Sequence, residues 1–175
     1  MSQVFDNASA KVEEAHFFLN LMNHVEDSQT PVVQGSTAKD EYVYFLSAFL
    51  GACYSAIEYL KGEAEAKPEL KPLVKDFKDK HKEFYAYEHG WRSKAIHYHP
   101  VVPGFEGYIP PRGDKVNFKL KKYTPPSGGQ VNFDLSKGRR FYFTGEAPQS
   151  PIGNQCEEEL AQLEDFIKRC EKEIQ

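Results

Sequence analysis

The clearest candidates for catalysis in this sequence are Arg92 and His97. An arginine guanidinium can bind a phosphate through two hydrogen bonds, and an imidazole exchanges a proton near neutral pH. Together they supply the minimum for metal-free cleavage of RNA, in which one group removes the 2′-hydroxyl proton and the other stabilises charge on phosphorus. Five residues apart on one helix, the two side chains lie about 140° apart around the axis. The spacing alone therefore also fits a surface arginine and a histidine that packs at a helix end.

A second group of residues has the chemistry of metal ligands. His97 and His99 have the His-x-His spacing of ligands on a strand, and His89 and Glu106 flank them. Imidazoles and a carboxylate are ligands for zinc or iron. The pattern upstream is helical, however, so we predict loop histidines before Pro100 and no bound metal. A metal-binding protein that uses His97 and His99 is kept as a third hypothesis.

Basic residues are concentrated in the middle of the chain. Residues 112–140 carry 8 basic and 2 acidic groups, whereas residues 1–60 carry 2 basic and 8 acidic groups. Such a segment attracts anionic partners. The candidate nucleic-acid-binding residues are Lys94, Lys119, Lys121, Lys122, Arg139 and Arg140. The alternative for the strand lysines is a solvated face or an edge strand protected against pairing. The row Lys75, Lys78 and Lys82 is balanced by neighbouring acids, and we interpret it as a solvated face.

Four segments with apolar residues three and four positions apart predict the helices that would carry these groups. The first lies between the caps Asp6–Asn7 and Pro31, the second runs from the Thr37–Asp40 cap to about Leu60, the third runs from about Pro68 to Tyr98, and the last begins at the Asn154–Glu157 cap. A kink or break is expected at Gly90, which interrupts the third helix.

A small antiparallel sheet is predicted between the third and the last helix. Residues 100–114 are rich in proline and glycine and predict a loop. Residues 115–121 and 131–135 alternate polar and apolar side chains, and residues 139–143 predict a third short strand. The expected fold class is therefore α+β and mainly α: a four-helix bundle, residues 6–98 and 151–175, with a β insertion, residues 115–143, in one domain spanning residues 1–175.

Composition supports a globular protein without a membrane span. The chain has 175 residues, 40% of them hydrophobic, and a net charge of −4. The longest uncharged run, residues 42–57, is shorter than the roughly 20 residues that cross a bilayer. The first residues lack the features of a secretory signal, and the three cysteines have no zinc or redox spacing. We therefore expect a cytoplasmic protein with buried thiols.

One string resembles a known family. Residues 42–57, YVYFLSAFLGACYSAI, resemble the second helix of bacterial HEPN-type proteins, and residues 15–22 are similar to their first helix. Arg92 and His97 occupy the place of that family's Arg-x4-6-His motif. The resemblance implies a dimeric helical bundle and, in active members, a metal-independent ribonuclease with both residues of both protomers in a shared cleft. Ser93 and Tyr98 stand where the family often has asparagine and glutamate, and the polar Ser93 is the third candidate catalytic residue.

Three functional hypotheses follow from these observations. The first is a HEPN-like RNA-binding protein of a toxin or defence system, a homodimer with metal-independent endoribonuclease activity, no cofactor, and an antitoxin or nucleotidyltransferase partner. The second is a non-catalytic dimeric interaction module with the same bundle. The third is the metal-binding protein described above.

Overall fold

The computed structural model describes residues 3–86, 90–93, 95, 101–105, 139–143 and 150–174. These residues form an α+β fold that is mainly helical, as the sequence predicts. In chain order the elements are α1 (Gln3–Ser28), α2 (Ala38–Ala66), α3 (Leu70–Lys80), α4 (Lys82–Tyr85), α5 (Trp91–Ser93), β1 (Val101–Phe105), β2 (Arg139–Phe143) and α6 (Ile152–Glu173).

The first two helices pack against each other and form the main helical contact of the fold. The hydroxyl half of the predicted cap of α2 is confirmed, because Asp40 N donates to Thr37 Oγ1 at 3.1 Å; the Asp40 carboxylate accepts from the Thr37 hydroxyl at 2.7 Å rather than from a backbone N–H. The apolar repeat of α2 is buried at Leu46, Leu50 and Ile57. α1 begins at Gln3, three residues before the predicted cap at Asp6.

Within the described residues, α2 alone is long and apolar enough to cross a membrane by length and composition. Many of its apolar side chains are nevertheless buried inside the protein, where the helix contacts α1, α3 and α6. This burial is the pattern of a core helix in a folded globular chain.

The prediction of one third helix over residues 68–98 is wrong. The helix stops at Lys80, and His81 leaves the helical region with φ −107° and ψ 32°. The short α4 follows, and Ala86 is extended. Gly90 does lie at a break: a Cβ there would stand 2.3 Å from the Ala86 carbonyl oxygen, so no side chain fits. The segment is thus divided into α3, α4 and α5.

The prediction of a loop over residues 100–114 is wrong at its start. β1 pairs antiparallel with β2, which is the predicted strand 139–143, and Pro103 lies opposite Phe141. Phe141 N donates to a glutamate of α1 rather than to β1, so this is a pair without ladder hydrogen bonds. A proline, which lacks the N–H, is tolerated at such a position. The predicted strands 115–121 and 131–135 lie outside the described residues.

α6 packs mainly on α1 and also contacts β2 and α3. It begins at Ile152, two residues before the predicted Asn154 cap, and Pro151 takes the cap position without a side-chain hydrogen bond. The Pro151 carbonyl accepts from Gln155 N at 3.3 Å. The three cysteines are buried free thiols, as expected.

Candidate nucleic-acid interface

The predicted catalytic residues lie at the short helix α5. Arg92 is exposed and Ser93 is half-buried on this turn. His97 and Lys94 lie outside the described residues, as do Lys119, Lys121 and Lys122, so the pairing of Arg92 with His97 stays a prediction.

Trp91 fixes the position of α5. Its indole is 2% exposed, stacks on Phe84 with ring centroids 4.5 Å apart, and meets the edge of Phe143 at 4.8 Å. Neighbouring residues on a helical turn point in different directions. Burial of Trp91 therefore directs the next side chain, Arg92, to the surface.

Arg92 lies over an aromatic ring of α2. The guanidinium carbon is 5.0 Å from the centroid of Tyr54, and Lys78 Nζ of α3 is 5.8 Å from the same centroid. Both distances are within the range of cation–π attraction. We call Tyr54, Lys78 and Arg92 the cation–aromatic cluster. The sequence indicated Arg92 alone, because the other two residues come from different helices.

One carboxylate belongs to the surroundings of this cluster. Glu58 Oε1 is 3.5 Å from Lys78 Nζ, and among the described residues this buried oxygen has no hydrogen-bond partner. Among the same residues, no ion pair involves Arg92. The cluster thus combines an arginine fork, a second cation and a half-buried tyrosine, which together can bind a phosphate and stack on a base.

Arg140 has a structural role that the sequence did not indicate. Its Nη1 donates to Glu26 Oε2 at 2.9 Å and to Asp27 Oδ1 at 3.2 Å, both on α1. Phe141 N donates to the other Glu26 oxygen at 2.7 Å. Burial raises the pKa of Glu26, while these hydrogen bonds oppose that effect. Arg140 therefore holds β2 on α1, whereas its neighbour Arg139 is exposed.

The lysines of α3 form a groove with α2. A groove of about 280 Å³ lies between the two helices, with Ala64 and Val74 as its apolar lining residues. Its basic lining residues are Lys61, Lys71, Lys75 and Lys78. We call it the lysine groove. Lys75 does pair with Asp79, as a solvated face would. The sequence pattern alone gave no reason to expect a groove, although the spacing of Lys71, Lys75 and Lys78 places them on one helical face.

The described residues offer no metal site. No group of three histidine, cysteine or acidic side chains among them could hold an ion. Burial raises the pKa of the Cys170 thiol to about 11 and also raises the pKa values of Cys53 and Cys156. Protonated thiols are poor ligands and nucleophiles. His89, His97, His99 and Glu106 lie outside the described residues.

The fold and the interface together define a mainly helical α+β protein with an exposed cation–aromatic cluster beside a lysine groove. No family model, curated protein or solved structure matches this chain.

Proposed function

We propose that this chain is a cytoplasmic, HEPN-like RNA-binding protein that acts as a metal-independent endoribonuclease. The observation that carries the proposal is the exposed Arg92 guanidinium over Tyr54, 5.0 Å from the ring centroid. A guanidinium that is held in place and free of a carboxylate partner among the described residues can bind a phosphate with both nitrogens.

The proposed reaction uses the phosphate bound at Arg92. His97 removes the proton of the 2′-hydroxyl, the 2′-oxygen attacks phosphorus, and the bond to the 5′-oxygen breaks. The leaving oxygen takes a proton from water, and the products carry a 2′,3′-cyclic phosphate and a 5′-hydroxyl. Ser93 is a hydrogen-bond donor next to Arg92 and would orient the same phosphate.

Single-stranded RNA suits the cluster better than a duplex. An unpaired base can stack on the plane of the Arg92 guanidinium, which is held over Tyr54, and stacking on aromatic rings and guanidinium planes is a usual way in which proteins hold single strands. Arg92 then supplies the phosphate contact beside the stacked base. In the proposed biological setting, a toxin or defence system, the partner is an antitoxin or a nucleotidyltransferase.

The first test compares RNA affinity and RNA cleavage in variants of the full chain. Arg92→Ala should weaken binding of a single-stranded 12-nucleotide RNA by about 10- to 100-fold, the effect of losing a hydrogen bond to a charged group. His97→Ala should abolish cleavage and leave affinity nearly unchanged, because the phosphate contact persists. Fluorescence anisotropy and gel analysis of the product ends, in EDTA, measure both effects.

Arg169 provides a matched control for Arg92. It is also exposed and also lies over an aromatic ring, 5.4 Å from the centroid of Phe166, but that ring is buried and, among the described residues, no second cation lies over it. Arg169→Ala should therefore leave RNA affinity unchanged. Equal losses of RNA affinity in the two variants would contradict the role of Arg92 in RNA binding. RNA that stays intact with and without added Mg²⁺ or Mn²⁺ would contradict the proposed endoribonuclease activity.

A non-catalytic dimeric interaction module is the second candidate. The observation that favours it is a set of exposed aromatic side chains on the first two helices, Phe17 on α1 and Tyr44 and Tyr59 on α2. Exposed apolar groups on neighbouring helices are typical of surfaces that bind a partner. This candidate predicts a dimer that leaves RNA intact under all conditions tested.

A further inference from the structure

The lysine groove adjoins the cation–aromatic cluster. Lys78 belongs to both: it lines the groove, and its Nζ is 5.8 Å from the Tyr54 centroid. Along α2, Tyr54 and Glu65 at the far lining of the groove are eleven residues apart, which is about 16 Å at the rise of an α-helix. A path with an excess of basic groups therefore runs from Arg92 over Tyr54 into the groove, past the Glu58 carboxylate that pairs with Lys61 and Lys78.

The charge of the groove fits a polyanion. Four lysines line it against two acids, Glu65 and Asp79, and Glu58 beside the groove pairs with Lys61 at 3.3 Å and with Lys78 at 3.5 Å. Lys71 pairs with Glu65 at 3.2 Å, and Lys75 pairs with Asp79 at 2.5 Å. All four of these side chains are more than half exposed. Ion pairs so exposed contribute little to stability, so phosphates can replace the carboxylates at little cost.

The apolar interior of the groove fits the base or the sugar of a nucleotide. Ala64 and Val74, 2% and 4% exposed, form the floor between the charged rims, and the hydrocarbon stems of the lysines supply most of the apolar surface. A base or a sugar can cover such a surface, while the phosphates on either side meet ammonium groups. A ligand with alternating apolar and anionic parts therefore matches the groove better than a simple anion.

We propose that the lysine groove binds the nucleotides that flank the phosphate held by Arg92, as one continuous path for single-stranded RNA. This inference rests on the proposed function and adds to it the path of the bound strand along the surface and the length of that strand. It makes affinity depend on RNA length, because a short RNA occupies the cation–aromatic cluster alone and a longer RNA also fills the groove.

The test removes three groove charges from the full chain in the variant Lys61→Gln/Lys71→Gln/Lys75→Gln. Affinity for a 12-nucleotide single-stranded RNA should fall at least about tenfold, and affinity for a trinucleotide should be unchanged. The slope of log affinity against log salt concentration should become shallower by about 2, since each lost contact to a single strand removes about 0.7. Anisotropy titrations at several salt concentrations measure all three quantities.

The control variant has the same change in net charge elsewhere on the surface. Lys11→Gln/Lys80→Gln/Lys168→Gln removes three lysines that also pair with acids, Glu14, Asp76 and Glu164, but that lie outside the groove. It should keep the affinity and the salt slope of the original protein. Circular dichroism verifies that both triple variants are folded.

The outcomes separate this inference from the proposed function. If Arg92→Ala weakens RNA binding and the groove variant behaves like its control, the groove inference is overturned and the proposed function stands. If Arg92→Ala changes nothing, the proposed function fails and the continuous path fails with it. If the groove variant loses binding to vesicles of anionic phospholipid but keeps its RNA affinity, the groove binds lipid head groups and the inference is overturned.

Discussion

Three glutamates among the described residues are buried, Glu26, Glu41 and Glu159, and each meets different partners. Glu41, in the first turn of α2, accepts hydrogen bonds from Val32 N and Val33 N, both at 2.6 Å, and from the Ser36 hydroxyl at 2.5 Å. Burial raises the pKa of this carboxyl, but the three donors outweigh it, and the pKa lies below its ordinary value of 4.5. Ionised Glu41 therefore fixes the loop between α1 and α2.

The lowered pKa of Glu41 predicts acid sensitivity with a definite sign. A carboxyl whose pKa is lower in the folded state stabilises the protein above its ordinary pKa, and this stability is lost as the pH falls through the folded value. Glu41→Gln should therefore destabilise the protein at pH 7. The variant should also lose less of its remaining stability than the original protein when the pH falls from 5 to 3. Urea midpoints across this range measure the difference between the two proteins. If the stability of both proteins depended on pH in the same way, the lowered pKa of Glu41 would be contradicted.

At the scale of elements, the break after α3 is held by a contact with α6. His81, the first residue after α3, has its Nδ1 2.7 Å from Glu159 Oε2. The Phe77 ring stacks on His81 and on Phe166, each at 4.2 Å between centroids. The broken helix end thus contacts α6 through both a polar and an aromatic contact.

We expect His81→Ala to destabilise the fold by about 1–3 kcal/mol, because it removes the partner of the buried Glu159 carboxylate. Urea unfolding measures this free energy. His16→Ala is the control: His16 also pairs with a glutamate of α6, Glu164, but the imidazole is half-exposed, so the loss should stay below about 1 kcal/mol. His81→Gln should recover part of the stability through its amide donor. Similar losses for His81→Ala and His16→Ala would show that burial of the contact is unimportant.

At the scale of the whole molecule, α2 has an outward side at Gly51 that the described residues do not fill. A Cβ on Gly51 would have no atom within 4 Å, so internal packing does not require glycine there. Glycine in a helix interior costs about 1 kcal/mol relative to alanine. Tyr44 and Tyr59, seven and eight residues away on the same helix, are exposed. Close approach of a second copy would offset this cost and cover both rings.

We predict that the protein is a homodimer of about 40 kDa, twice the 20.0 kDa chain. Tyr44→Asp should raise the dissociation constant of the dimer by about tenfold or more, since buried interface aromatics commonly contribute that much. Val33→Asp, at an exposed loop position, is the control and should leave the mass unchanged. Light scattering at micromolar concentration measures the mass. A monomer would remove the cleft that two protomers share in the proposed mechanism.

Local sequence patterns predicted the elements whose signals span only a few residues. The 3-4 apolar repeats predicted α1, α2 and α6, the Thr37 hydroxyl predicted the start of α2, and residues 139–143 were expected as a strand and form β2. These features depend on residues a few positions apart, so one stretch of chain contains the whole signal. Arg92 could be singled out in the same way, from its residue type and its spacing to His97.

Contacts between residues far apart in the chain account for the features that local patterns did not predict. The break at His81 is held by Glu159, 78 residues later, and Arg140 is paired with Glu26, 114 residues earlier. β1 needs β2 as its partner, which overrides the loop signal of its proline and glycine. Tyr54 and Lys78 meet Arg92 only because three helical segments pack together. Packing free energy depends on which surfaces are in contact in the folded protein, and local sequence patterns do not specify these tertiary contacts.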